Sequence, residues 1–172
     1  MEAFYLGGSK SRVNKAGAAV RLGSATADDL ACIDVWRAAH QPVINTFQAM
    51  LRNRAKAAGA VVGQRHKRRI TIFDKLERLP KMELARMDDI AGCRLIFKES
   101  GSLKILHKSL HEAKFRHKIR NDTEKYDYLK NPKSTDYRGI HDIYEYQVQN
   151  YKNSKSNSLY IKLQYRTLVQ HP

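Results

Sequence analysis

The residues best suited to bind a ligand lie in one short segment, residues 125–141. It contains the carboxylate of Asp127, the cation of Lys133, the aromatic ring of Tyr137 and the imidazole of His141. Cations contact phosphate oxygens, an aromatic ring stacks on a planar group, and an imidazole adds a polar contact. The segment therefore predicts a binding surface for a flat, negatively charged ligand.

A second group of cations lies earlier, at residues 65–69 and at Lys75. We expect these side chains to lie before and along one helix, where Arg and Lys residues offer charge-assisted donors to phosphate oxygens. A solvated helix face is the alternative explanation of the same run. The sequence here lacks the Walker pattern that ends in Gly-Lys-Ser/Thr, so this group is not a P-loop.

Two adjacent carboxylates, Asp88 and Asp89, precede a predicted strand. Mg²⁺ prefers one or two carboxylates together with phosphate oxygens of a substrate, so the pair is a candidate magnesium site. The alternatives are a cap at the start of the strand and a salt bridge to Arg94. Asp127 has an alternative role as well, because a loop Asp often accepts hydrogen bonds from nearby backbone N–H groups.

The net charge is the strongest bulk signal. The chain has 172 residues, of which 32 are Lys or Arg and 17 are Asp or Glu, so its formal net charge is +15. A field of this sign attracts nucleotides, RNA, DNA or an anionic membrane surface. A generically basic surface explains the charge equally well, so the charge alone does not select a partner.

No segment suggests export or membrane insertion. The first residues contain no apolar run long enough for a signal peptide, and no segment approaches the roughly 20 apolar residues of a membrane span. Cys32 and Cys93 lie far apart in apolar surroundings, and we predict that both are buried free thiols. A cytoplasmic location without membrane attachment is the expectation.

These residues must be positioned by a chain that we divide into an arm at residues 1–25, with a short helix near 13–22, and one domain at residues 26–172. A capping box at residues 26–29 begins a helical pattern that reaches residue 51 and that Pro42 should kink or divide. Two further helices are predicted near residues 68–78 and 103–113. The apolar stripe of the first of these is predicted to contain Ile70, Phe73, Leu76 and Leu79.

Four strands are predicted from short apolar or alternating runs, at residues 90–97, 115–119, 141–148 and 159–167. The polar residues 150–157 predict a hairpin between the last two strands. The order of elements predicts an α+β domain with a mixed, largely antiparallel sheet flanked by helices. In the last strand, alternation predicts a core face of Leu159, Ile161, Leu163 and Tyr165 and a polar face of Tyr160, Lys162, Gln164 and Arg166.

Five sequence elements occur in an order and spacing that resemble the synthetase domain of the RelA/SpoT family, and they cover roughly residues 60–171. They are Arg-His-Lys at 65–67 followed by Lys75, Asp-Ile-Ala-Gly-Cys-Arg at 89–94, Asp-Tyr-Leu-Lys-Asn-Pro-Lys at 127–133, Asp-Tyr-Arg-Gly-Ile-His at 136–141, and Lys-Leu-Gln-Tyr-Arg-Thr at 162–167. The chain is similar to the small single-domain members of the family. The resemblance implies their nucleotidyltransferase-like synthetase fold.

The resemblance also implies a reaction, in which the β,γ-pyrophosphate of ATP moves to the ribose 3′-hydroxyl of GDP or GTP with Mg²⁺ as cofactor. By position, ATP would contact Arg65, Lys67, Lys75 and Arg94. Asp89 would bind Mg²⁺, and the guanosine nucleotide would contact Lys133, Tyr137 and His141. Gln164 and Arg166 would line the site beside the catalytic position.

The catalytic position itself departs from the family pattern. The family has a Glu where this chain has Lys162, and a lysine has the wrong charge to act as a base or to hold Mg²⁺. Asp136 and Gly139 replace the usual Gly and Ser of the turn, and the family helix that follows His171 is not present in this sequence. Lys162 is the departure that bears most directly on activity.

Three functions stay open at this point. The first is an alarmone synthetase of the GTP diphosphokinase type, and the second is a related transferase that uses the 3′-end of tRNA as acceptor. The third is a nucleotide-binding relative with impaired catalysis, which Lys162 favours. The sequence does not determine the oligomeric state, and a homo-oligomer is compatible with it.

Overall fold

The computed structural model describes residues 8–135, 138–146 and 159–170. Its α-helices are α1 (Lys10–Arg21), α2 (Ala27–Ala38), α3 (Gln41–Ala57), α4 (Arg69–Arg78) and α5 (Ser100–Glu112). Its strands are β1 (Val61–His66), β2 (Ala91–Phe97), β3 (Lys118–Ile119), β4 (Ile140–Tyr146) and β5 (Leu159–Thr167). Short 3-10 turns lie at Leu84–Arg86 and Leu168–Gln170.

The five strands form one sheet in the order β1-β2-β5-β4-β3. Only the central pair, β2 and β5, is parallel, and the other three pairs are antiparallel. The predicted α+β class with a mixed, largely antiparallel sheet is therefore confirmed. The predicted antiparallel pairing of the last two strands is also confirmed, while the residues of the predicted turn between them lie outside the described residues.

One side of the sheet is covered by α3 and α5. Phe47 of α3 packs on Tyr144 with ring centroids 5.6 Å apart, and His107 of α5 packs edge-on against Tyr165 at 4.9 Å. The core-facing residues predicted for β5 are all buried, from Leu159 through Tyr165 at every second position. Burial on this side follows the period of two and confirms the predicted face.

Helices α2 and α3 begin where the capping box and Pro42 predict. Thr26 and Asp29 form the reciprocal capping box at the start of α2. The predicted long helix is divided before Pro42, which lies in the first turn of α3. Helix α1 lies in the segment predicted as an arm, and its Gly17 packs so closely that an added Cβ would lie 2.9 Å from the Leu84 Cβ.

Three details differ from the sequence predictions. Strand β1 was not predicted, because most of its residues are exposed and it lacks an apolar alternation. The buried stripe of α4 consists of Ile72 and Leu76, whereas Ile70 is 66% exposed. Strand β3 occupies only the last two residues of the predicted strand at 115–119.

Both cysteines are free thiols, as predicted. Cys93 is buried, and burial raises the pKa of its thiol to about 12. Cys32 is partly exposed, so the prediction that it is buried was wrong. Among the described residues, no helix has the length and apolar character needed to cross a membrane.

Candidate active site

The side of the sheet opposite α3 and α5 carries the candidate site. On this side, β5 contributes Lys162 and Gln164, which are half-buried, and β2 contributes Arg94. The strand register places Gly92 beside Lys162 and Arg94 beside Gln164. The Nε of Arg94 donates a hydrogen bond to Oε1 of Gln164 at 3.4 Å.

Strand β1 extends the same surface to the edge of the sheet. Its Arg65 pairs in register with Gly92. A Cβ added to Gly92 would lie 3.4 Å from the Lys162 carbonyl oxygen and 3.6 Å from the Arg65 Cβ. Because Gly92 has no side chain, a cleft remains between its neighbours, and this cleft is lined by Arg65, Asp89, Gly92, Cys93, Arg94, Lys162 and Gln164.

At one end of this cleft two lysines share one carboxylate. The Nζ of Lys67 lies 3.1 Å from Asp89 Oδ2, and the Nζ of Lys75 lies 2.9 Å from Asp89 Oδ1. Lys67 follows β1 directly, Lys75 lies on α4, and Asp89 precedes β2, so three elements converge here. We call these residues the Lys67–Asp89–Lys75 array.

The opposite charges of the array stabilise one another through ion pairs. Burial alone would raise the pKa of Asp89, but the charges of Lys75, Lys67 and Lys162 outweigh it and lower the pKa to about 2. Burial lowers the pKa of Lys67, and the Asp89 carboxylate offsets part of that effect. Asp89 is therefore ionised at neutral pH, although both of its oxygens contact ammonium groups.

Lys162 has a carboxylate partner of its own. Its Nζ lies 3.4 Å from Oδ1 of Asp88, and the two side chains keep 18% and 33% of their exposure. Asp88 was predicted only as part of an acidic pair, and its contact with Lys162 was not predicted. The opposite charges of the two residues are the signal that the sequence offered.

A second part of the site lies around β4. His141 pairs in register with Gln164, and its backbone N–H donates to the Tyr126 carbonyl at 3.2 Å. Burial, and then the charges of Lys162, Lys133 and Arg166, lower the pKa of His141 to about 3. At neutral pH its imidazole is therefore uncharged and offers hydrogen bonds instead of a positive charge.

The loop before β4 brings the predicted residue Lys133, and also Tyr128, close to His141. The ring of Tyr128 lies edge-on to His141 at 5.2 Å, and Lys133 Nζ lies 4.5 Å from the centroid of the Tyr128 ring. Tyr128 was not among the predicted site residues, although its place between Asp127 and Lys133 marked it. Tyr137, the predicted stacking residue, lies outside the described residues.

Asp127 shapes this loop. Its Oδ1 accepts hydrogen bonds from the backbone N–H groups of Leu129 at 3.1 Å and Lys130 at 3.2 Å. This is the alternative role expected for a loop Asp, and it fixes the turn that leads to Lys133. Arg166 lies on the polar face of β5 beyond Gln164, in register with Ile96.

A wider cleft, of about 640 Å³, lies beside Asp88. Its basic residues are Arg86, Arg120 and Lys125, and Tyr126 and Tyr160 add aromatic surface. Asp88 contacts Lys162 of the first cleft and also lines the second. The two clefts therefore meet at the Lys162–Asp88 ion pair.

Comparison with known proteins places this arrangement in a family. Residues 64–172, well over half of the chain, match the model of the region found in RelA/SpoT proteins. Nothing matched in a comparison with curated proteins.

Solved structures share the fold. Small alarmone synthetase 1 from Bacillus subtilis, bound to its product pppGpp, is 22% identical over 76% of this chain and 70% of its own, with a TM-score of 0.64. Small alarmone synthetase 2 from the same organism is 21% identical over 78% and 71%, with a TM-score of 0.64. A GTP pyrophosphokinase family protein from Streptococcus pneumoniae is 24% identical over 75% and 66%, with a TM-score of 0.62. At these identities the likeness shows the fold, and the match to the family model shows that this chain belongs to the RelA/SpoT family.

Proposed function

We propose that the chain is a pyrophosphotransferase that moves the β,γ-pyrophosphate of ATP to the ribose 3′-hydroxyl of GDP or GTP. The observation that carries this proposal is the Lys67–Asp89–Lys75 array beside Arg65 and Arg94 in one cleft. Transfer of this kind depends mainly on positioning the reactants and neutralising charge on phosphate oxygens. An array of paired cations held between the sheet and α4 would supply both.

The donor would bind at the array. A triphosphate offers several anionic oxygens, so it competes with the single Asp89 carboxylate for the ammonium groups of Lys67 and Lys75. Arg65 and Arg94 line the same cleft and add guanidinium donors. ATP binding would thus transfer the lysines from Asp89 to the phosphates.

The same exchange fits a magnesium site. Asp89 stays ionised with a pKa of about 2, and Asp88 lies next to it in the chain, so two carboxylates of the type that Mg²⁺ prefers are present. Once phosphates hold the lysines, Asp89 would be free to hold Mg²⁺ with Asp88 beside it. Bound there, Mg²⁺ would neutralise negative charge on the transferred group.

The acceptor would bind around β4. Lys133 supplies a cation for its phosphates, the uncharged His141 supplies a hydrogen bond, and Tyr128 supplies an aromatic edge next to both. Tyr137 is proposed as the ring that stacks on the guanine. Gln164, in register between Arg94 and His141, would lie between the two proposed substrates and orient them.

Lys162 favours a second candidate function, namely nucleotide binding without efficient transfer. The ammonium of Lys162 is held at the centre of the site by Asp88 at 3.4 Å, where the family has a glutamate. Removal of a general base lowers a rate by about 10²–10⁴. Phosphate binding is not lost by this change, because Lys162 adds one more cation to the cleft.

The test is the release of AMP from ATP with Mg²⁺ and GDP or GTP, measured for the unaltered chain and for Lys162→Glu. Lys162→Gln is the matched control, because it removes the positive charge without adding a carboxylate. We expect Lys162→Glu to exceed the parent by about 10²–10⁴ and to exceed Lys162→Gln as well.

Each other outcome has a definite meaning. A parent as active as Lys162→Glu would show that the transfer does not need a carboxylate at this position. Equal gains for Lys162→Glu and Lys162→Gln would assign the effect to the removed positive charge. If all three variants are silent with guanosine nucleotides, the proposed acceptor is wrong, and the 3′-end of tRNA is the next acceptor to test.

A further inference from the structure

A cluster of two histidines and one aspartate lies on the opposite side of the sheet from the candidate active site. His107 and His111 are four residues apart on α5 and so project from one face of the helix. Asp142 lies on β4 and pairs in register with the core-facing Leu163. None of these three residues belongs to the site described above.

All three side chains meet at one point. His107 Nε2 lies 3.2 Å from Asp142 Oδ1, and His111 Nε2 lies 2.8 Å from Asp142 Oδ2. One ligand atom from each residue lies within 4.8 Å of the other two. Across the described part of the chain, this is the one group of three or more such side chains that meets this distance.

We propose that this cluster binds a divalent transition-metal ion, with Zn²⁺ as the best match. Zn²⁺ is commonly held by imidazole nitrogens and a carboxylate oxygen, with metal–ligand distances of roughly 2.0–2.2 Å. Ligand atoms at such distances around one ion lie about 3–3.5 Å apart. The two nitrogen–oxygen separations, 3.2 and 2.8 Å, are near this range, and the three ligand atoms all lie within 4.8 Å of one another. Three protein ligands leave one position of a four-coordinate ion for water.

The burial of the cluster supports a metal rather than a surface ion pair. Asp142 has no exposed side-chain surface, whereas His107 and His111 retain 19% and 24% of theirs. A buried carboxylate needs a partner that compensates its charge. The half-buried imidazoles give an ion a path from solvent to the carboxylate.

The surroundings of Asp142 include the buried hydroxyl of Tyr165. Tyr165 is completely buried, its ring packs edge-on against His107, and its hydroxyl has no hydrogen bond in good geometry within the described residues. The hydroxyl interacts with the charge of Asp142, so it can serve as an outer-shell donor to a metal-bound carboxylate.

The alternative is a cluster of hydrogen bonds without metal, in which each Nε2 donates a proton to Asp142. Such a cluster would fix α5 to β4 equally well, but it would bind no ion. The two possibilities differ in metal stoichiometry, so a binding measurement distinguishes them. The metal proposal does not depend on the proposed transferase function.

The experiment uses the full chain without an affinity tag, treated with chelator and titrated with Zn²⁺ in a calorimeter. We expect one Zn²⁺ per chain and an upward shift of the unfolding midpoint when Zn²⁺ is present. Titration with Co²⁺ should give the visible absorption of a four- or five-coordinate site. Mg²⁺ should produce neither effect, because it prefers oxygen ligands.

The variants test the residues. The double variant His107→Gln/His111→Gln should lose binding at this site, and each single variant should weaken it by at least the roughly 10–100-fold that loss of an outer-shell partner causes. His117→Gln, a histidine outside the cluster, should bind as the parent does. Circular dichroism without metal checks that each variant is folded.

Two results would overturn the proposal. One is a parent chain that binds no Zn²⁺ with one-site stoichiometry, and this result needs no variant. The other is Zn²⁺ binding and thermal stabilisation that persist unchanged in the folded double variant, which would place the ion elsewhere.

Discussion

The two sides of the sheet differ in how much charge they carry. On the site side, the Asp89 carboxylate lies about 3 Å from the ammonium groups of both Lys67 and Lys75. On the packed side, β5 presents buried residues such as Ile161 and Leu163, and the buried charge beside them, Asp142, is held by two histidines. One strand therefore serves two chemistries, and alternate residues of β5 determine which side carries which.

The packed side should set most of the stability. Leu163 is 1% exposed, so Leu163→Ala leaves a cavity in the core and should lower the free energy of unfolding by about 2–5 kcal/mol. Gln164→Ala, the next residue on the site side, should change it by less than about 1 kcal/mol. Chemical denaturation of both variants measures the difference. Equal losses would contradict the expectation that the packed side contributes most of the stability.

The buried imidazole of His40, at the start of α3, gives a prediction that can be tested with pH. His40 is fully buried, its Nδ1 lies 2.7 Å from the Trp36 carbonyl oxygen, and burial lowers its pKa from 6.5 to about 4. Below pH 6.5 His40 binds a proton in the unfolded chain but not in the folded chain, so the free energy of unfolding falls as pH drops from 6.5 to 4. The loss should reach about 3 kcal/mol at the lower end.

The control for this prediction is His40→Asn, which keeps a donor for the Trp36 carbonyl but does not titrate in this range. Denaturation should show that the parent loses more stability than His40→Asn between pH 6.5 and 4. If both proteins show the same dependence on pH, the buried imidazole is not responsible.

On the site side, the effect of removing a charge on the free energy of unfolding should depend on how buried its ion-pair partner is. Asp89→Asn leaves Lys67 buried without its carboxylate, and we expect a loss of about 1–2 kcal/mol in the free energy of unfolding. This lies below the 3–5 kcal/mol of a fully buried pair, because the Asp89 side chain keeps 19% of its exposure. Asp34→Asn breaks the exposed pair with Arg69 and should cost less than about 0.5 kcal/mol. Thermal or chemical unfolding of the two variants would contradict the argument if the exposed pair proved equally important.

A helix cap away from the sheet gives a reference loss of stability, with which the losses on both faces can be compared. Thr26→Ala removes the hydroxyl that accepts from the Asp29 N–H at 3.2 Å and should cost about 1 kcal/mol. Ser9→Ala removes a longer contact of 3.5 Å at the start of α1 and should cost less. Unfolding measurements that reverse this order would show that cap geometry does not decide these effects.

The sequence predicts best where one physical rule acts alone. Alternation along residues 159–167 predicted both faces of β5, because successive side chains of a strand point to opposite faces and here one face packs on the core. The capping box at Thr26 and the break at Pro42 were also predicted, since each depends on local backbone chemistry. Strand β1 was missed because an exposed edge strand carries no such pattern.

Predictions were weaker where the result depends on contacts between distant segments. Ile70 was predicted to lie in the α4 stripe, yet it is exposed, because the orientation of α4 is set by the packing of Ile72 and Leu76. The pairing of Lys162 with Asp88 likewise requires β5 to lie beside β2. The types of the site residues were readable from the sequence, but their partners were not.

The position of β5 has a consequence for how the chain reaches its fold. Of the five strands in the described sheet, β5 is the last to be synthesised, yet it lies at the centre, and its contacts with β2 join residues 70 positions apart. Until β5 emerges from the ribosome, β1–β2 and β3–β4 are two separate pieces with exposed edges. Such non-local closure slows folding. The complete five-stranded sheet, and with it both faces, can therefore form only after β5 has been synthesised.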